Sequence, residues 1–186
     1  LLMPQRHPSR LGRFVRDRAG AGAIEFALIA PVLLTLYLGG VEVTRAITFS
    51  HKMQRATTAV NDLVTQSTDL SKASVLETFD AADAMLAPFH LDPIPIRTTA
   101  INVDAAGNAK VVWSVARGMD KASAGKAYVL PELLKGLRNY TLVVTNASYA
   151  FSPISTYVLT ARIPMSAEAR GRFRGQKPPA CSDCTK

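Results

Sequence analysis

Cysteine and histidine are scarce in this chain, and aromatic residues are few. The 186 residues include two cysteines, three histidines and 7% aromatics. A structural zinc site takes four ligands. Cys181 and Cys184 form a C-x-x-C, but His7, His51 and His90 are scattered, so no metal and no cofactor is expected. A redox C-x-x-C opens a helix after a strand. This pair follows Pro178-Pro179 near the end of the sequence. The favoured readings are a disulfide, local or between chains, and free thiols. Neither G-x-G-x-x-G in a strand–helix setting nor a phosphate-cradling GxxxxGK[ST] occurs. No nucleophile–base pairing is legible. The chain is expected not to be an enzyme and to have no small-molecule substrate.

Charge is sparse as well. Charged residues make up 19% of the chain, against about 25% in ordinary globular proteins. With 48% hydrophobic residues, this excludes a disordered chain. The formal net charge is +8, but it is unevenly placed. Arg6, Arg10, Arg13, Arg16 and Arg18 stand against Asp17 in the first 20 residues. Arg170, Arg172, Arg174, Lys177 and Lys186 stand against Glu168 and Asp183 in residues 164–186. Between them, 12 basic residues meet 11 acidic ones. A nucleic-acid binder usually interleaves its basic face with aromatics. The basic ends here hold only Phe14 and Phe173, so no nucleic-acid partner is expected. Asp80, Asp83 and Asp92 read as a solvated acidic face, because no calcium-loop pattern accompanies them.

What the sequence does have is one long apolar run. Ala19 to Val41 contains a single charge, Glu25. At 1.5 Å per residue these 23 residues make a helix of about 34 Å. That spans a bilayer core of about 30 Å. Pro31 is tolerated in such a helix. A buried core helix is the alternative, and the Arg-rich flank argues against it. The arginines place the preceding end in the cytoplasm. No second run of this length follows, so one pass is expected. An ordinary secretory signal would end in a small-residue cleavage site. Gly39-Gly40 follows here instead.

The start of the run carries a motif. Gly20 stands five residues before Glu25, and Phe26 follows the acid. Gly22 is only three residues before it, so the spacing selects Gly20. This pattern resembles the class III leader of type IV-like prepilins, in the Glu-aromatic form of Flp pilins and TadE-like pseudopilins. Phe26 stands where many such motifs have tyrosine. The stretch AGAGAIEFALIAPVLLTLYLGGVEVTR resembles the amino-terminal TadE-like domain. The shared features are Glu25, Pro31, Gly39-Gly40 and the exit pair Glu42 and Arg45.

The resemblance implies a membrane-anchored pseudopilin for assembling Tad (Flp type IVb) pili, which serve surface adhesion. A prepilin peptidase would cut between Gly20 and Ala21. The other partners would be pilin-like or Tad machinery subunits and the bacterial inner membrane. The head would be periplasmic or extracytoplasmic, and could enter the pilus. Cleavage would leave an α-ammonium on Ala21 for Glu25 to neutralise, giving the acid the partner that a carboxylate in a membrane helix needs. Glu25 is expected in the first helical turn, where the dipole favours negative charge. Ala21, Gly22, Ala23, Ala27 and Ala30 would permit close helix contacts. Two rivals remain: an uncleaved single-pass scaffold, and a secreted binding module.

Beyond the run, Met53, Ala56, Val60, Leu63 and Leu70 predict a helix with one apolar stripe. A capping box from Ser74 to Glu77 predicts a second helix with Val75, Phe79, Ala82 and Leu86 on one face, ended by Pro88. Strands are expected at Ile94–Val103, Lys110–Arg117, Tyr140–Phe151 and Tyr157–Ile163, the first two as a hairpin. A short helix is expected after Pro131. The fold class is α+β, a long helix packed on about four antiparallel strands. The expected organisation is a basic cytoplasmic leader (1–20), a transmembrane helix (21–43), an exported head (44–163) and a basic tail (164–186).

Overall fold

The computed structural model describes residues 20–67, 69–89, 92–136, 138–154, 161–173, 181 and 183–184. Helix α1 spans Ala21–Gln66 and α2 spans Lys72–Leu86. The strands are β1 (Ile96–Val103), β2 (Ala109–Arg117), β3 (Tyr140–Phe151) and β4 (Ile163–Arg172). They form one antiparallel sheet in the order β2-β1-β3-β4. The fold is therefore α+β, a long helix with a four-stranded sheet.

The outer part of α1 packs through Phe49, Met53, Ala56, Val60 and Val64, all buried. The steps of three and four keep them on one face. Leu63, expected in this stripe, is half exposed, and Val64 replaces it. Against them lie Val75, Phe79, Ala82 and Leu86 of α2, as their spacing predicts. The facing side of the sheet contributes Ala100, Trp113, Val143 and Ala167. Helix α2 begins earlier than expected. Ser71 is its N-cap and pairs reciprocally with Ser74, each backbone N–H donating to the other hydroxyl at 3.0 Å. A serine supplies the return bond that a Glu or Gln usually makes. The other side of the sheet carries a second cluster, including Ile101, Val103, Tyr140 and Leu142, with Leu130 of the β2–β3 connection. The short helix expected after Pro131 is a single 3-10 turn, Glu132–Leu134.

Strand β4 lies elsewhere than expected. It begins at Ile163 and runs through Arg172, so the segment read as a basic tail supplies the fourth strand. Of the stretch expected to form it, residues 157–160 lie outside the described residues. The reason is chemical. Toward α1 the strand presents Ala167, Ala169 and Gly171, and away from it Glu168, Arg170 and Arg172. Small inward and charged outward residues leave little β signature.

Those small residues let α1 come close. A Cβ on Gly171 would lie 2.4 Å from Asn61 Oδ1. Asn61, buried, donates from Nδ2 to Val143 O (3.0 Å), Thr145 Oγ1 (3.2 Å) and Ala169 O (3.3 Å). Asp80 and Asp83 form ion pairs with Arg117 across from α2 to β2 (2.7 and 2.5 Å). At the hairpin turn, Asp104 accepts from the Asn108 side chain (3.1 Å) and backbone (2.8 Å). Gly107 closes that turn at φ +90°, a conformation suited to glycine.

Two outcomes are expected for the detergent-solubilised full chain. Asn61→Leu removes a buried side-chain donor to Val143 O and Ala169 O, and should destabilise it by about 1–3 kcal/mol. Thermal unfolding would show a midpoint several degrees lower. The second concerns acid. The Asn108 side-chain bond, then its backbone bond, hold the Asp104 carboxyl below its ordinary pKa. A lowered folded-state pKa stabilises above the unfolded value of about 3.9, and the effect is lost as pH falls through the folded value. Asp104→Asn should therefore shrink the loss of melting temperature on going from neutral to strongly acidic buffer.

Candidate functional site

The amino-terminal half of α1 has no packing partner among the described residues. Ile24, Phe26, Leu28, Ile29, Val32, Leu33, Leu34, Leu36 and Tyr37 are all more than half exposed. Such a surface is far larger than soluble monomers leave open. The helix is long and apolar enough to cross a membrane. Pro31 sits inside it without ending it. It has no N–H to give the preceding turn, while its own carbonyl accepts from Thr35 Oγ1 at 2.8 Å.

Gly20 occupies the N-cap position and Ala21 is the first helical residue. Both are exposed. Glu25 lies just past the first turn, which contains no acid. The expected dipole contact is therefore corrected, because that effect fades within one turn. Glu25 instead stands four residues from Ala21, on the same helix face. Phe26 points outward, 70% exposed. The five residues singled out in the run thus share one exposed helix. The arginine-rich leader before it lies outside the described residues.

At Gly20, Gly22 and Gly40 an added Cβ would meet nothing within 4 Å. Glycine in a helix costs about 1 kcal/mol relative to alanine. The fold of the single chain gives no reason for Gly22 or Gly40 inside α1.

Glu42 marks the change from apolar helix to packed helix. It is buried, and its Oε1 accepts from the Ile154 backbone N–H at 2.9 Å. One turn further, the Arg45 guanidinium lies 5.9 Å from the Phe89 ring. The sequence offered these two residues only as part of a resemblance.

The cysteines are in a separate place. Cys181 and Cys184 are joined as a disulfide and buried in the main core. Asp183 between them accepts the Lys72 N–H with both carboxylate oxygens, each at 3.1 Å. Asp183 is thereby held at the first turn of α2, where a carboxylate is favoured.

Asn61 escaped sequence reasoning, although Thr57, Asn61 and Thr65 form a small polar line at spacing four beside the apolar stripe. All three are buried.

Residues 20–60 match the family model of the TadE-like protein. That stretch of α1 is a TadE-like segment. No curated protein and no solved structure matches it. The match covers the exposed half of α1 and its first packed turns, and leaves α2 and the sheet outside. A TadE-like segment on an unpartnered apolar helix fits a Tad pilus-associated protein.

Since the fold makes no demand for them, Gly22→Ala and Gly40→Ala should leave the isolated chain as stable as before, or more stable by up to about 1 kcal/mol. Thermal unfolding in detergent reads this directly. A lowered midpoint would mean that the chain's own fold needs these glycines.

Proposed function

We propose that this TadE-like protein is a membrane-anchored pseudopilin that takes part in assembling Tad (Flp type IVb) pili for surface adhesion. The observation that carries this reading is the amino-terminal half of α1, apolar on all sides and covered by nothing among the described residues. In water such a surface is a liability, and in a bilayer or a helix bundle it is an anchor. The five arginines before it orient the anchor with its leader in the cytoplasm and its head outside the inner membrane.

A prepilin peptidase then cuts between Gly20 and Ala21. Both residues stand exposed at the start of the helix, where a peptidase can reach the bond. Cleavage leaves an α-ammonium on Ala21. Glu25, four residues on, neutralises that charge within the chain or in an adjacent pilin-like subunit. The protein is in this account the substrate of an enzyme and has no catalysis of its own. Gly22, Ala23, Ala27 and Ala30 let other subunit helices approach closely.

Amino-terminal sequencing of the protein recovered from membranes tests the scheme. A mature chain beginning at Ala21 is expected. A retained leader would replace the pseudopilin with an uncleaved scaffold, and a soluble product lacking the span would make it a secreted module. Gly20→Arg should abolish leader removal, seen as an unshifted band. Glu25→Ala should leave cutting intact and reduce piliation; normal pilus output would remove the neutralising role.

A further inference from the structure

The way the head is hung on α1 gives it a defined underside. α1 and β3 run in opposite directions. Phe49 packs on Phe151, with ring centroids 5.6 Å apart, while Asn61 lies over Val143 near the other end of the strand. The chain leaving β3 therefore projects back along α1 toward its apolar half. It reaches Glu42, where the Ile154 N–H is held by the buried carboxylate at 2.9 Å. Glu42 is seven residues before Phe49, about 10 Å along the helix axis. It is 21 residues after Ala21, about 32 Å, which is one bilayer core. Glu side chains on a helix lean toward its amino terminus, so the bond brings Ile154 level with the end of the span.

At that level Ile154 is 73% exposed. Two arginines, Arg162 and the half-buried Arg45, belong to the same end of the fold. Arg45 is one turn above Glu42 on α1. Arg162 is exposed just before Ile163, which pairs with Phe151 at the same end of the sheet. Apolar side chains favour the bilayer interface, and arginines near it favour anionic headgroups.

We propose that the Ser152–Ile154 turn is a membrane contact. Ile154 enters the bilayer interface while Arg45 and Arg162 meet anionic headgroups, and the Glu42 bond fixes this turn to the anchor. The head then stands at a set angle on the membrane instead of swinging on its helix. This rests on the reading of α1 as a membrane span.

The test uses the full chain, with its native disulfide intact, in vesicles of phosphatidylethanolamine and phosphatidylglycerol. An environment-sensitive fluorophore is attached at Ile154→Cys. Comparison labels go at Leu33→Cys in the span and at Val129→Cys. Val129 is 87% exposed and lies beside Leu130, which packs with Tyr140. That end of the twelve-residue β3 is about 37 Å from Phe151. Each labelled chain is first matched to its parent in thermal midpoint. Lipids with a nitroxide near the headgroup then serve as quencher for the labels at 154 and 129, and lipids with a nitroxide deep in the acyl chain for the label at 33. A group about 5–10 Å into the headgroup boundary lies within reach of that quencher, so the label at 154 should lose emission and the label at 129 should be unchanged. If 33 is quenched while 154 behaves like 129, the membrane contact is wrong and the span stands. If neither 33 nor 154 is quenched, the span reading fails and takes the contact with it. A blue-shifted but unquenched label at 154 would mean that a neighbouring subunit covers the turn, which overturns the proposal.

Discussion

The head is organised by one close crossing. α1 passes over β3 and β4 where Gly171 leaves no room for a Cβ, and Asn61 donates to carbonyls of both strands. A buried amide aimed at backbone acceptors is directional, unlike the apolar contacts around it. The apolar stripe tells α1 which face to bury. The Asn61 contacts tell it where along the sheet to sit. That placement sets Phe49 against Phe151, and hence the position of everything that follows β3 relative to the apolar half of the helix.

Because α1 is continuous from Ala21 to Gln66, one element carries both an uncovered apolar half and a packed half. Its first half is apolar all round and its second half is apolar on one face, and both share one backbone. Glu42 stands where the two regimes meet. Its carboxylate is buried against the Ile154 backbone, so a charged residue at the junction also ties the sheet to the helix. In the anchored pseudopilin proposed above, any force on the membrane helix would pass to the head through this joint and the crossing at Asn61.

The described residues after Ile163 are structural. β4 closes one edge of the sheet, and the Cys181–Cys184 loop returns to the start of α2. Asp183 caps that helix from a distant part of the sequence. Residues that looked like a basic tail thus complete the sheet and help fix α2. The charge that remains on β4, at Arg170 and Arg172, points away from α1.

The sequence by itself determined the elements whose signals are local. The apolar run, the Gly20–Glu25 spacing, the faces of both helices, the β1–β2 hairpin and β3 were all legible, because periodicity and turn chemistry reside in neighbouring residues. The likeness to the TadE-like family was legible for the same reason, since it rests on a contiguous stretch. Only the tertiary structure decided the rest. β4 is a strand because α1 covers its small residues, and Ala167, Ala169 and Gly171 announce nothing without that helix. Val64 rather than Leu63 turns inward because the line of the crossing selects it. Asn61, Glu42 and Asp183 acquire their roles from partners 82, 112 and 111 residues away. Such contacts leave no mark on local pattern, since what defines them is a partner that only folding brings near.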